Sequence, residues 1–327
     1  MVMSSKGFRH LVSRAPATIQ AGRAQYLPQT PGAEVGEVPA SANVFSDESG
    51  RAFDPAASTG MIALDRASEL GLDSPATTMN LLARYIVVRE DEEFEFEARA
   101  SSVLCYAVKG SGRSFQEDEV IEWSEGDVFL FPGGVTILNE APNGDAVLFV
   151  VTDEPLLAAL GCAAPSLEEA QVKSTHYTAK TIAAQLEDMG SQAGDSATQA
   201  ILAFASSQYE QRSCVAPAIG AGIATMEPGA DQVSHCHDVD TISLGLTCEN
   251  VHAMIDGQQV DWIQNAAFVT PAGSVHSQHN RGEQRLFSFY VQDRGPRDAR
   301  TWEPQDRDAQ ASPDIRELLP EGQDFPV

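Results

Sequence analysis

Basic residues are scarce in this 327-residue chain: 21 Lys and Arg stand against 47 Asp and Glu, a net charge of −26. So acidic a surface repels phosphate backbones and anionic lipid headgroups, which argues against a nucleic-acid or membrane-surface partner. Cysteine is sparse too. The five thiols (Cys105, Cys162, Cys214, Cys236 and Cys248) are odd in number, widely spaced and without a Cys-x-x-Cys pair. Neither a disulfide framework nor a thiolate zinc site is indicated, and reduced thiols are expected. Long apolar runs are missing: the richest, Ala146 to Val151, falls far short of the ~20 residues of a membrane-spanning helix. The opening MVMSSKGFRHLVSRAP lacks the continuous apolar stretch and small-residue cleavage site of a secretory signal. A cytoplasmic protein is the expectation.

Several chemical signatures are absent as well. No phosphate loop or Gly-x-Ser-x-Gly elbow occurs, and KGSGRS is followed by neither a helix nor the acidic residue of a dinucleotide-binding unit. The runs REDEEFEFE and QEDEVIE lack the alternating Asp/Asn and turn glycine of a calcium loop. They read as solvated strand edges.

What is present is an ordinary globular composition, 43% hydrophobic and 21% charged, at a length that fits two domains or one duplicated unit. Residues 1–76, rich in Ala, Ser, Pro and Gly, show neither period 2 nor period 3.6 and read as an arm. From 77 to 153 short β-branched and aromatic runs (NLLARYIVV, EFEFEA, SVLCYAV, VFLF, AVLFVVT) alternate with turn residues such as SEGD and PGG. Strands at that spacing suggest an antiparallel sandwich or barrel. Residues 154–216 read as a helical connector, where LEEAQ, TAKTIAAQLEDMG and SATQAILAFASSQYEQR hold Ala and Leu at helical spacing and Ser196 or Thr198 could cap the last stretch. Strand texture returns over 217–293 (GAGIATM, TISLGLT, VHAMIDGQQVDW, AAFVT, RLFSFYVQD), before a charged tail at 294–327.

The second strand-rich unit contains Gly229, five residues, then His235-Cys236-His237. Later come Asn265, five residues, Pro271-x-Gly273, two residues, His276, three residues and Asn280. This spacing resembles the two-part signature of the cupin superfamily of small β-barrels. Asn265 stands at a turn position the signature gives to glycine, which Asn fills because it enters the left-handed region more readily than most residues. The first unit keeps Gly126, five residues, Pro132-Gly133-Gly134 and then Ile137 where the histidine would be. Aligning SVLCYAVKGSG with DTISLGLTCEN sets Glu97 and Arg99 against His235 and His237. The resemblance implies a mainly β bicupin, two antiparallel β-barrels joined by the helical connector, with metal ligands only in the second barrel.

Alternation along a strand turns His235 and His237 to one face and Cys236 to the other, and His276 arrives from a neighbouring strand. Three imidazoles suit Fe, Ni, Cu or Zn. Many cupins add a glutamate four or five residues after the second histidine, but Thr241 and Ile242 stand there, and alternation turns Asp238 and Asp240 away unless a bulge intervenes. Three neutral ligands leave room for a bidentate substrate and dioxygen. TPAGSVHSQHNRG, IDGQQVDW, the late VQD and VLFVVTDEPLLAALG are similar to segments of the gentisate/salicylate 1,2-dioxygenase group. That resemblance implies Fe(II) as cofactor, a small aromatic acid and O2 as substrates, and a homo-oligomer, dimer or tetramer. It also sets a contrast, because the better-known gentisate enzymes are expected to hold iron in the first barrel.

Around His235, His237 and His276, the expected helpers are His279 and Gln278 for acid/base or relay work and Arg84 and Arg281 for a substrate carboxylate. His252, His10 and His176 lie outside the motif and read as ordinary histidines. Other metal-dependent cupin chemistries, namely thiol or diketone dioxygenation or a lyase or isomerase reaction, and a non-catalytic small-ligand-binding bicupin are the alternatives.

Overall fold

The computed structural model describes residues 43–193, 198–210 and 213–294, all within the unit Ser41–Val327. His10, Ser196, most of the proposed arm and all but Arg294 of the proposed tail lie outside the described residues. In order come α1 (Ser46–Ala52), β1 (Gly60–Ala63), α2 (Ala67–Leu70) and the first repeat: β2 (Leu82–Val88), β3 (Glu93–Phe96), β4 (Ser102–Lys109), β5 (Ser111–Gln116), β6 (Glu119–Ser124), β7 (Val128–Pro132), β8 (Ile137–Glu140) and β9 (Ala146–Thr152). Next are α3 (Glu154–Leu160), β10 (Thr175–Tyr177), α4 (Ala179–Ala193) and β11 (Gln199–Phe204). The second repeat is β12 (Ile219–Met226), β13 (Thr241–Thr247), β14 (Val251–Ile255), β15 (Gln258–Asp261), β16 (Ala267–Thr270), β17 (His276–Asn280) and β18 (Leu286–Asp293).

Each repeat is a pair of antiparallel sheets. The first combines β1-β2-β9-β4-β7-β10 with β3-β8-β5-β6, and the second combines β11-β12-β18-β13-β16 with β15-β14-β17. The large sheets explain the unbroken apolar runs. In β9, Val147, Phe149 and Val151 enter a core shared between the repeats, whereas Leu148 and Val150 fill the first barrel. In β4, Leu104 and Tyr106 face the shared core, and Val103 and Cys105 face the barrel. A strand buried on both faces has no need of polar residues at alternate positions. From the second repeat, Ile242, Leu244, Phe289 and Val291 complete the shared core.

Two local expectations change. Within SATQAILAFASSQYEQR the described residues 198–210 form no α-helix: β11 pairs along β12 from Gln199↔Met226 to Phe204↔Ala221. Its Ala and Leu satisfy a helix period, but the sheet edge beside it supplies backbone partners, and tertiary pairing overrides propensity. Thr198 offers no cap; its carbonyl accepts Glu227 N–H at 2.9 Å. LEEAQ forms a turn, while TAKTIAAQLEDMG supplies α4 as expected. Residues 43–76, which show no period, nonetheless bind both repeats: Phe45 N–H bonds Ala267 O at 2.9 Å, and β1 pairs with β2. Elements of four to seven residues are too short to show a period.

The turn before each Pro-x-Gly run behaves as the sequence reading requires. Gly126 has φ +86° and Asn265 φ +62°, and their N–H groups bond equivalent carbonyls, Ala107 O and Gly245 O, at 2.8 and 2.7 Å.

Candidate metal centre

His276 opens β17 directly after the Pro271–Val275 turn. His235 sits opposite it through a backbone bridge, with His235 N–H bonding His276 O at 2.9 Å and His276 N–H bonding His235 O at 2.8 Å. His237 is fixed by its own carbonyl, which accepts Gly273 N–H at 2.7 Å. The expected ladder through His235 and His237 is reduced to isolated bridges, Asp231↔His279 and His235↔His276. Four steps of chain on one side oppose three on the other, so a bulge precedes His235.

Ring centroids lie 4.4 Å apart for His235 and His276, 4.7 Å for His237 and His276, and 6.0 Å for His235 and His237. One ring nitrogen from each falls within 4.8 Å of the others. All three Nδ1–H groups donate to nearby carbonyls: His235 to Val233 O at 3.0 Å, His237 to Val239 O at 2.8 Å and His276 to Ser274 O at 2.9 Å. A carbonyl can only accept, so Nδ1 carries a proton in each, and in the neutral ring this leaves the Nε2 lone pair for a metal. His276 is 6% exposed, and burial lowers its pKa to about 4. Its ring is therefore neutral at neutral pH.

Among the described residues, no carboxylate joins this group. The Asp240 carboxylate accepts Ala272 N–H at 2.9 Å in the neighbouring turn. The bulge falls before His235 rather than after His237, so it does not turn Asp238 or Asp240 inward by the route the sequence reading allowed.

The first barrel shows what replaces the site. β3 pairs Phe96 with Ile137, as His235 pairs with His276. Gly134 N–H bonds Ala98 O at 2.8 Å, as Gly273 N–H bonds His237 O. The residues matching the three histidines are therefore Phe96, Ala98 and Ile137. The expected alignment with Glu97 and Arg99 is out by one residue, which in a strand reverses the face. These three belong to an apolar core with Val103, Cys105, Leu148 and Val150. At the corresponding places the second barrel has Thr241, Ser243, Ser288 and Tyr290, on the faces turned away from the shared core. Gln292 extends this polar wall and donates weakly from Nε2 to Thr241 Oγ1 at 3.3 Å. Gly222 leaves room for Tyr290, since a Cβ there would lie 2.7 Å from the phenol oxygen. Burial pushes the Tyr290 phenol up to about 12, with Arg294 pulling the other way. It is a neutral donor at neutral pH.

The expected helpers separate. Gln278 shares the face of β17 with His276. His279 does not: it lies on the opposite face, its Nδ1 2.5 Å from Asp231 Oδ1 and its Nε2 2.9 Å from Ser277 Oγ. Arg281 also binds Asp231 at 2.5 Å. Together His279 and Arg281 hold the Asp231 carboxyl below the usual carboxylate range. Arg84 belongs to β2 in the first repeat and pairs with Glu154 at 2.5 Å, so it is not brought to the histidines. Sequence reasoning missed the polar wall, although the alternation Ser288, Tyr290, Gln292 in RLFSFYVQD, against Leu148 and Val150 in AVLFVVT, was there to be read.

No family model matches the sequence. A 5-aminosalicylate 1,2-dioxygenase from Comamonas is 30% identical over 90 residues, 28% of this chain and 24% of that protein. A gentisate 1,2-dioxygenase from Haloferax is 32% identical over 82 residues, 25% of this chain and 22% of that protein. The chain thus spans about a quarter of the length of these curated relatives. In structure it is similar to salicylate 1,2-dioxygenase from Pseudaminobacter salicylatoxidans, with a TM-score of 0.60 at 14% identity over 72% of this chain and 76% of that one. For a substituted form of that enzyme in complex with gentisate the TM-score is 0.62, at 14% identity over 77% and 82% of the two chains. No helix among the described residues is long and apolar enough to cross a membrane. The chain has a two-barrel fold similar to that of the salicylate 1,2-dioxygenases, with its histidine cluster in the second repeat.

Proposed function

We propose that this chain is an Fe(II)-dependent dioxygenase that opens the ring of a hydroxylated aromatic acid, gentisate- or salicylate-like, with O2, and that the reaction takes place in the second barrel. The observation that supports this most is the convergence of three imidazoles without a carboxylate among the described residues. The donor set fits such an ion. One ring nitrogen from each of His235, His237 and His276 lies within 4.8 Å of the others, so these three residues would hold it. When bound, Fe(II) acts as a Lewis acid toward the phenol and links the ring electronically to dioxygen.

The chain's own residues do the positioning. The three Nδ1–H bonds fix ring tautomer and orientation. The wall of Thr241, Ser243, Tyr290 and Gln292 offers hydrogen bonds to a carboxylate and hydroxyl, and Tyr290 keeps its proton to donate. Arg294, whose side chain lies over Gly220 beside this wall, supplies the positive charge an aromatic acid requires. Gln278 lines the site beside His276. In this reading the protein works in the cytoplasm as a homo-oligomer, dimer or tetramer.

An oxygen electrode with anaerobically Fe(II)-loaded protein and a panel of gentisate, salicylate, 5-aminosalicylate and unsubstituted benzoate tests the reading. Uptake of one O2 per hydroxybenzoate, none with benzoate, and loss of uptake in His276→Ala is expected. Absence of uptake with every hydroxybenzoate, together with an Fe(II)–nitrosyl spectrum that none of them perturbs, overturns it.

A further inference from the structure

β17 runs beside β14 without interruption from Val251↔Asn280 to Ile255↔His276, whereas the segment that delivers two of the three histidines meets β17 at two separate bridges. Backbone bonds hold it at each, Gln232 N–H to Gln278 O at 2.9 Å and the reciprocal pair between His235 and His276. A side-chain clamp on the outer face of the sheet adds to them. Asp231 Oδ1 is 2.5 Å from His279 Nδ1 and 2.5 Å from an Arg281 guanidinium nitrogen. His279 is itself held, by Ser277 Oγ at 2.9 Å from Nε2 and by stacking on His252 with centroids 4.9 Å apart and planes 21° apart. Ser277 and His279 occupy alternate positions of β17 and stand on the face opposite His276; Arg281 follows the end of the strand and reaches the same carboxylate.

We propose that Asp231 is a positioning residue of the metal centre: the clamp made by His279 and Arg281 fixes the His235–His237 segment against the strand that carries His276, and so sets the affinity for the ion. This rests on the metal-centre reading above. Ser277, His279 and Asp231 also stand in the order of a hydrolytic relay, but Ser277 is 3% exposed and closed to a substrate, which leaves alignment as the role of the row. Groups that orient metal-binding histidines typically change metal affinity about 10- to 100-fold. Asp231, with its side chain 56% exposed, belongs at the lower end, about ten-fold.

The test measures Co(II) affinity of the full chain by competition with a chromophoric chelator, with the visible Co(II) spectrum and the metal-free melting temperature recorded alongside. Asp231→Ala is expected to bind Co(II) about ten-fold more weakly, with an altered spectrum and an unchanged metal-free melt. Asp261→Asn, which removes a charge from the same outer face but is bonded to Gln259, is expected to match wild type. Affinity of Asp231→Ala within two-fold of wild type overturns the clamp and leaves the metal centre standing, as does an equal loss in Asp261→Asn. Failure of the wild type to bind Co(II) at all overturns the metal centre itself. Should Asp231→Ala not fold, Asp231→Asn, which keeps the side-chain size, is read in the same way, and unchanged affinity again refutes the clamp.

Discussion

Matching positions in the two barrels should respond oppositely to the same truncation. Ile137 is fully buried among Phe96, Ala98 and Phe131, so Ile137→Ala removes packed methylenes and leaves a cavity, at a cost of about 2–5 kcal/mol. For a chain of 327 residues each kcal/mol lowers Tm by about 1.5 °C, so the metal-free Tm should fall by roughly 3–7 °C. His276, though 6% exposed, gives up mainly its bond to Ser274 O, about 1 kcal/mol. Adding a divalent metal at 100 times its Kd stabilises a binding protein by about 2.7 kcal/mol. Wild type and Ile137→Ala should both show that upward shift, and His276→Ala should show none. Differential scanning calorimetry with and without Fe(II) or Co(II), under anaerobic conditions for iron, reads all three. A metal-dependent shift retained in His276→Ala, or abolished by Ile137→Ala in protein that still folds, would refute the division into a structural and a metal-binding barrel.

Further outcomes follow from the polar wall, the turns and one buried carboxyl. Tyr290→Phe should raise KM for an aromatic acid about ten-fold, the effect of losing roughly 1.4 kcal/mol of hydrogen bonding, with metal affinity unchanged; an unaltered KM would remove Tyr290 from substrate binding. At Asn265, φ +62° makes Asn265→Val cost about 1–2 kcal/mol while Asn265→Gly is near neutral; equal denaturation midpoints for the two variants would contradict the turn argument. Burial raises the Asp153 carboxyl against the lowering effect of its Ser101 bonds. The folded state therefore keeps that proton to higher pH than the unfolded one, and stability falls as pH rises through the window above 3.8. Asp153→Asn should flatten that part of the stability–pH curve, and an unchanged slope would show that Asp153 does not set it.

What the sequence revealed depended on how local each signal was. The second barrel's histidine cluster was legible because Gly-x5-His-x-His and Pro-x-Gly-x2-His-x3-Asn combine turn chemistry with histidines at fixed offsets. The first barrel's counterparts were misplaced by one residue because nothing within EFEFEARA fixes register; only the Phe96↔Ile137 pairing does. Alternation, applied to β17, would already have grouped Gln278 rather than His279 with His276. Arg84 was expected to meet a substrate carboxylate, but its partner Glu154 lies 70 positions away, a pairing that sequence cannot show. Asp231 carried no motif at all, and its importance arises from a clamp formed across two segments. β11 misled because Ala and Leu serve a helix and a sheet edge equally well.

The most direct test of the central claim is metal stoichiometry in protein loaded anaerobically with Fe(II) and freed of excess by gel filtration. One ion per chain, falling to none in His235→Ala, His237→Ala and His276→Ala alike, is the expected result. Two ions per chain, or one ion that survives loss of all three histidines, would place the metal elsewhere and contradict the account.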